Sequence, residues 1–137
     1  MTLKELSQLY YLNREIEADK ERLEKLRELA YGPSGPKLSG MPGGGSCENR
    51  LERYIAEIVD LEAILSAKIM QCLHERSRLE RYIADIPDSL TRQIFTFRFI
   101  SGLPWRQVAI SVGGGNTEDG VKKLCYRHLN KEKKGEE

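Results

Sequence analysis

Basic side chains gather near the C-terminal end of this sequence, at spacings that suit the binding of a polyanion. Residues 87–131 carry seven basic and three acidic side chains, a net charge of +4. Residues 1–30 and 31–86 each carry one more acidic than basic side chain. Positive charge concentrated in one small segment is typical of modules that bind nucleic acid. The charge pattern therefore directs attention to Arg106 and to the group Lys122, Lys123 and Arg127.

Residues that perform catalysis or hold metals are few and scattered. The candidate soft ligands are Cys47, Cys72, Cys125, His74 and His128, which lie far apart and form no CxxC or HxxxH spacing. Structural zinc sites need paired ligands at short spacing, so we expect reduced thiols and no metal site. No nucleophile accompanies either histidine. The sequence predicts a protein without cofactor or enzymatic activity.

The segment around the basic residues has the pattern of two short helices that pack at close range. Trp105–Val112 is predicted to be a helix, with Ala109 as the small residue at the contact and Trp105 in the core. Gly113 supplies the positive φ that the turn needs, and residues 113–116 form that turn. Val121 and Leu124 then face back toward the first helix, and this leaves the opposite face of the last helix open to a DNA major groove.

Two long helices are predicted to precede this pair. Residues 3–30 show a seven-residue ladder at Leu9, Ile16, Leu23 and Ala30, which Asp19 weakens, and residues 47–86 show a second ladder at Leu51, Ile58, Leu65, Cys72, Leu79 and Ile86. Ile55, Ile69 and Ile83 widen that second stripe. Such ladders are typical of coiled coils, so the stripes must pack on each other or on a second copy of the chain.

Breaks in these patterns set the predicted domain organisation. Residues 31–46 are rich in Gly and Pro and form a loop, and Pro87 ends the second long helix. Residues 50–58 and 78–86 read RLERYIAEI and RLERYIADI, four heptads apart, so one packing surface is used twice. Asp88 is the expected N-cap of a third helix, Ser89–Ser101, which Gly102 ends. The chain is thus predicted to be all-α, with a helical hairpin over 1–86, a three-helix domain over 87–131 and a charged tail over 132–137.

The C-terminal third resembles a known family. RQIFTFRFISGLPWRQVA is similar to the apolar helix, glycine and short helix of the promoter-reading C-terminal domain of sigma-70-type factors, and Thr117-x-x-x-Val121-Lys122-Lys123 is similar to its recognition helix. The whole chain further resembles small phage-encoded regulators of streptococcal and related phages, which share a coiled N-terminal part and a loop like Leu38-Ser39-Gly40-Met41-Pro42. This resemblance implies a helix-turn-helix domain at 87–131 and a late-gene or packaging-gene activator.

The resemblance also implies roles for residues of the last helix. Thr117 and the backbone N–H groups around it would meet a phosphate, because a helix N-terminus favours an anion. Asp119 matches an acidic base-reading position, where a carboxylate accepts from cytosine N4, although it is open to the alternative of serving only the helix dipole. Lys122 and Lys123 match positions that face the groove, and Arg127 lies further along, near the DNA backbone.

The preceding helix and the turn complete the expected interface. Arg106 and Gln107 would touch phosphate, because that helix crosses a DNA strand. Asn116 in the turn belongs to the same set. Three features depart from the family pattern: the spacing from Ala109 to Val121 is two residues longer than usual, Glu118 stands where the family often has a basic residue, and Gly120 lies inside the recognition helix. The alternative for all the charged positions is a solvated surface.

The expected function is sequence-specific, DNA-binding transcription regulation in the cytoplasm of a host cell. Double-stranded DNA is the expected partner, host RNA polymerase a further one, and the long helices are expected to form a homodimer. We expect no membrane association, because no apolar run approaches the length needed to span a bilayer. Two alternatives remain open: a small terminase-like component of phage DNA packaging, and a sigma-like protein that binds RNA polymerase without binding DNA.

Overall fold

All the secondary structure of the described residues is helical, as predicted. The computed structural model describes residues 1–32 and 45–135, apart from the side chains of residues 45–48. Its helices are α1 (Leu3–Tyr31), α2 (Gly45–Ala84), α3 (Ser89–Phe95), α4 (Trp105–Val112) and α5 (Glu118–Gly135), and a π-helical turn, Thr96–Ile100, continues α3. Within those ranges no helix combines the length and apolar character needed to cross a bilayer.

The chain divides into two compact units. One comprises Met1–Leu12 with Cys72–Glu137, and the other comprises Asn13–Gln71. The division at residue 86 expected from the sequence concerns independent folding and stays a prediction. Most of the predicted Gly/Pro-rich loop, including the motif at 38–42, lies outside the described residues, as do residues 136–137 of the expected tail. The predicted ends of that loop were wrong, because Tyr31 belongs to α1 and Gly45 and Ser46 belong to α2. Residues 132–135 of that tail belong to α5.

In the unit Asn13–Gln71, α1 and α2 run antiparallel. The cross-helix pair between Arg27 and Glu62 joins Nη2 to Oε1 at 2.8 Å, and the pair between Lys68 and Asp19 joins Nζ to Oδ2 at 2.6 Å. The residues buried along this seam are Ile16, Leu23, Ala30, Ile58, Leu61 and Leu65. The heptad ladders therefore predict the packed face correctly. The widening of the α2 stripe was wrong at Ile55 and Ile69, which are exposed because they lie at the outer edge of the helix.

Asp19 interrupts the apolar seam and is stabilised by a cation from the opposite helix. The side chain of Asp19 is 9% exposed, and it accepts a 2.6 Å hydrogen bond from Lys68, whose ammonium also lies 3.8 Å from Glu15. That hydrogen bond raises the pKa of Lys68 above its ordinary value. A buried carboxylate is tolerated only when it is paired, so Lys68 satisfies the position that weakens the ladder.

Replacing Lys68 alone by methionine is expected to destabilise the protein, because the buried Asp19 then loses its 2.6 Å partner and keeps only Arg22, whose Nη1 lies 4.0 Å from Oδ1. The double variant Asp19→Leu with Lys68→Met should recover the loss or exceed the wild type, since an apolar pair carries no desolvation cost. Because the folded-state pKa of Lys68 is raised, its contribution is full below the ordinary pKa of 10.5 and is lost as pH rises through the higher folded value. Thermal unfolding midpoints at about pH 8 and about pH 11 measure both effects.

Lys20→Met is the matched control for that experiment, because Lys20 lies on the exposed face of α1. It should leave the midpoint nearly unchanged. A Lys68→Met variant as stable as this control would show that the pair contributes nothing.

In the unit formed by Met1–Leu12 and Cys72–Glu137, one apolar cluster joins all five helices. Its fully buried members are Leu6, Leu9, Leu79, Ile94, Phe95, Val108, Val121 and Cys125. The ring of Phe95 lies 5.3 Å from that of Phe99 and 5.4 Å from the imidazole of His128, measured between centroids. The core-facing sides of α3, α4 and α5 pack on this cluster.

Polar contacts fix the junction between α2 and α3. α2 ends at Ala84, two residues before the predicted Ile86, because its chain tightens: Ile86 N–H donates to the carbonyl of Ile83. Arg92 then donates from Nη1 to the carbonyls of Ile86 (2.7 Å) and Pro87 (3.0 Å). Asp88 caps α3 as predicted, accepting from Thr91 N and Oγ1, and these hydrogen bonds lower the pKa of Asp88.

The third helix differs from its prediction in its second half. An α-helix was expected to continue to Ser101, but α3 ends at Phe95 and the π-helical turn takes over. Ser101 N–H donates to the carbonyl of Thr96, five residues back, which is the hydrogen bond that defines a π turn. Gly102, with φ of 70°, then reverses the chain, and Arg98 donates to the carbonyl of Leu103 at 3.0 Å. Gly102 thus ends the helix as predicted.

Candidate nucleic-acid interface

α4 and α5 pack against each other and against α3, as the sequence pattern predicts. α4 has the predicted bounds, Trp105–Val112, and buries Val108 and Ala109. α5 buries Val121 and Cys125, which belong to the same apolar cluster as the α4 residues. The small side chain of Ala109 therefore lies at the helix contact, and α5 turns Val121 and Cys125 toward the core.

Three successive glycines with positive φ form the turn between the two helices. Gly113 has φ of 66° and ψ of −152°, a region that is essentially restricted to glycine. Asn116 closes the turn: its Nδ2 donates to the carbonyl of Gly113 at 2.8 Å, and its backbone N–H donates to the same oxygen at 3.2 Å. The structure thus places Asn116, an expected interface residue, half-buried in the turn.

Gly113→Ala is expected to destabilise the protein by about 1–3 kcal/mol, the usual cost of holding a non-glycine residue in such a conformation. A Cβ at this position meets nothing within 4 Å, so the effect comes from backbone strain and not from a clash. Urea denaturation followed by tryptophan fluorescence measures it. Ser111→Ala, an exposed change on the same helix, should shift the free energy of unfolding by less than about 0.5 kcal/mol. Equal stability of the two variants would refute the strain.

Thr117 begins α5 as an N-cap. Its Oγ1 accepts from the N–H of Gly120 at 3.1 Å, and its carbonyl accepts from the N–H of Val121 at 3.0 Å. A Cβ at position 120 would lie 3.1 Å from Thr117 Oγ1, so a glycine inside the helix leaves room for the cap. The glycine that departs from the family pattern at position 120 is therefore explained by the cap at Thr117.

The outward face of α5 is polar and mostly basic. Its exposed residues are Glu118, Asp119, Lys123, Tyr126, Arg127, Asn130, Lys131, Lys133 and Lys134. The helix carries six basic and three acidic side chains, a net charge of +3. Lys122 is partly covered, with its side chain 37% exposed and its Nζ 3.5 Å from Glu118 Oε1. The face is therefore free of the protein core and positively charged toward its C-terminal end.

Comparison of the chain with protein-family models, with curated proteins and with solved structures gives no significant match. The resemblance to sigma-70-type domains is thus carried by the sequence pattern alone.

The expected DNA contacts fall into two groups in the structure. Asp119, Lys123 and Arg127 are exposed on α5, and Arg106 and Gln107 are exposed on α4, which packs directly against it. Lys122 and Thr117 lie at the N-terminal half of α5, where Lys122 pairs with Glu118. The two packed helices therefore expose five of the expected side chains, whereas Lys122 is partly covered and Asn116 is half-buried in the turn.

Sequence reasoning missed two exposed residues of the same face. Tyr126 and Asn130 follow Asp119 and Lys123 at helical spacing of three and four residues, so they share their side of α5. Neither side chain carries a charge, so a pattern of basic positions does not include them. The helical period alone identifies them.

Trp105 is a core residue, as predicted. It is 9% exposed, its ring centroid lies 6.2 Å from that of Tyr126, and the Arg98 guanidinium lies 4.6 Å above the indole. A cation over an indole face is a favourable contact. The ring therefore anchors α4 to its neighbours.

The cysteine of the same region, Cys125, lies in the apolar cluster. Burial raises the pKa of the Cys125 thiol to about 12, so it stays protonated and unreactive. No group of three or more His, Cys, Asp and Glu side chains in the described ranges is arranged to hold a metal ion.

Proposed function

We propose that the chain is a sequence-specific DNA-binding transcription regulator that places the outward face of α5 in a major groove. The observation that supports this most strongly is that α5 carries a net charge of +3 and exposes Lys123 and Arg127 on the side away from its buried residues Val121 and Cys125. A supported helix with a free basic face is the arrangement by which helix-turn-helix proteins bind duplex DNA.

The side chains divide by the part of DNA they would contact. Arg106 and Gln107 on α4 bind phosphates and set the position of the domain, since contacts to the backbone carry no sequence information. Lys123 and Asp119 lie toward base edges, where an amine donates to guanine and a carboxylate accepts from cytosine. Arg127 extends the phosphate contacts along α5.

The acidic start of α5 argues for selectivity over strength of binding. Glu118 and Asp119 both lie in the first turn, where they oppose a phosphate that the helix dipole attracts. Glu118 also lies 3.5 Å from Lys122 and offsets part of its charge. Non-specific attraction is therefore modest, and base contacts must supply a large share of the affinity.

Selection of bound duplexes from a random pool, followed by fluorescence anisotropy on the enriched sequence, tests the proposal. Enrichment of one sequence, bound at least about 10³-fold more tightly than scrambled DNA, is the expected result. An unenriched pool, or equal affinity for both duplexes, would overturn sequence-specific recognition.

Two partners belong to the proposal besides DNA. We propose a homodimer formed through the long helices, and contact with host RNA polymerase in the cytoplasm of the host cell. The solution mass distinguishes this arrangement from a DNA-packaging component, because small terminase-like proteins assemble into rings of many subunits. Pull-down of polymerase in the absence of DNA tests the second contact.

A further inference from the structure

α2 carries a second heptad stripe besides the one packed on α1. The stripe, which we call the outer seam, consists of Ala56, Val59, Ala63, Ser66, Met70, Leu73 and Ser77, spaced alternately by three and four residues along one uninterrupted helix. All seven are exposed, and none is charged. Its large members are well exposed, at 58% for Val59, 65% for Met70 and 55% for Leu73.

The outer seam differs from an ordinary solvated helix face. On α1, the exposed positions between residues 13 and 28 are all charged except Asn13 and Ala18. Solvated faces of long helices are expected to be of that charged kind. A charge-free face of seven successive a and d positions is instead the pattern by which one helix packs on another.

We propose that a second copy of the chain covers the outer seam, with the two α2 helices antiparallel about a twofold axis near residue 68. In this register Ala63 lies opposite the partner's Leu73, and Ser66 lies opposite the partner's Met70. Val59 likewise lies opposite the partner's Ser77. Each of these three layers thus joins a small side chain to a large one, which keeps the helix separation even, and Ala56 at the end of the seam lies opposite the partner's Glu80.

The charges flanking the seam select this register. It places Glu62 opposite the partner's Arg76, a pair of opposite charges that occurs twice by symmetry, and Asp60 opposite the partner's His74. A shift by one heptad in one direction sets Glu62 against the partner's Ile69. The opposite shift sets Arg76 against the partner's Ile69. Among these three registers, only the proposed one places Glu62 and Arg76 opposite side chains of opposite charge.

Antiparallel packing is favoured over parallel for the same reason. In a parallel pair the position of Glu62 lies beside the partner's Ala67, and that of Ile69 lies beside the partner's His74. No flanking charge then meets its opposite. The parallel pair also stacks Ala56 and Ala63 on their own copies, which leaves thin layers beside the thick layer at Met70.

This inference deepens the proposed homodimer and does not depend on DNA binding. Sedimentation equilibrium of the full chain, without DNA, measures it. The wild type is expected to be a dimer at micromolar concentration. Glu62→Arg alone and Arg76→Glu alone should each weaken the dimer at least about tenfold, since like charges then face each other at two symmetric places. The variant with both changes should return to within about threefold of the wild type.

Recovery in the double variant has no explanation within one copy. Glu62 pairs with Arg27 and Arg76 pairs with Glu80 in the same chain, and the double variant leaves both of those partners facing like charges. Glu57→Arg is the matched control, because Glu57 is exposed on α2 but lies off the seam and its flanks. It should leave the dimer unchanged. Met70→Lys should give a monomer with undiminished helical circular dichroism, since Met70 is exposed in the single chain.

Three results would overturn the inference. A wild-type chain that is monomeric at about 100 µM excludes the dimer, because this concentration is well above a micromolar dissociation constant. Failure of the charge-swapped double variant to recover excludes this register, and a larger ring excludes a closed pair. Because DNA affinity is measured separately, a monomer that still selects one duplex sequence would leave the proposed function standing.

Discussion

Replacing Lys122 and Lys123 together by alanine is expected to weaken binding to the selected DNA duplex by about 10- to 100-fold at about 0.1 M salt. Each lysine that enters the groove brings its charge close to the phosphates and displaces up to about one condensed counterion, so the loss of both removes up to about two from the salt exponent of the binding constant. Anisotropy titrations at several salt concentrations measure both quantities. A fall in affinity together with a flatter salt dependence identifies the two lysines as contacts to the duplex.

The matched control removes the same charge from another helix. Lys20 and Lys25 are exposed on α1, outside the proposed interface, so their double alanine variant should keep the affinity and salt exponent of the wild type. If both double variants lose the same affinity, only the net charge matters and α5 is not the contact surface. If neither loses affinity, the outward face of α5 does not meet DNA.

Phe95→Ala is expected to destabilise the unit formed by Met1–Leu12 and Cys72–Glu137 by about 3–5 kcal/mol. Phe95 is fully buried, and its ring lies 6.2 Å from Tyr82, 5.3 Å from Phe99 and 5.4 Å from His128. Truncation removes the apolar area and leaves a cavity that three rings cannot fill without shifting. The helices that support α5 would lose their common anchor.

Trp105 is the only tryptophan of the chain and belongs to the same unit, so its fluorescence during urea denaturation reports this loss. Tyr11→Ala is the control: it also removes an aromatic ring from this unit, but Tyr11 is 61% exposed. We expect it to change the free energy of unfolding by less than about 0.5 kcal/mol. A Phe95→Ala variant as stable as this control would mean that the core closes around the cavity.

Local signals in the sequence predict the local structure of the C-terminal region closely. The bounds of α4 are those expected, and Asp88 and Thr117 cap their helices as expected. Gly113 takes the positive φ that the turn requires. These features depend on one residue and its neighbours within four positions, so composition and spacing are sufficient to find them.

Features that depend on distant partners were not predictable in the same way. The π-helical turn forms where α3 must meet the apolar cluster, and no residue of 96–100 signals it alone. Asp19 was expected to weaken the seam. Its partner Lys68 lies 49 residues away in the sequence, so the heptad pattern of α1 does not reveal the pairing. The amide of Asn116 closes the turn onto Gly113, and its expected contact with DNA stays a prediction. Tyr126 and Asn130 were missed because charge, and not exposure, guided the choice.

Because Cys125 is buried, the reactivity of its thiol reports how often the surrounding core opens. A thiol with a pKa of about 12, lying in the apolar cluster that supports α5, reacts with an alkylating reagent only while that cluster is open. Its rate of alkylation therefore counts the opening events of the core in the unmodified chain. A ligand that holds α5 in place would lower the alkylation rate of Cys125 without contacting its sulfur.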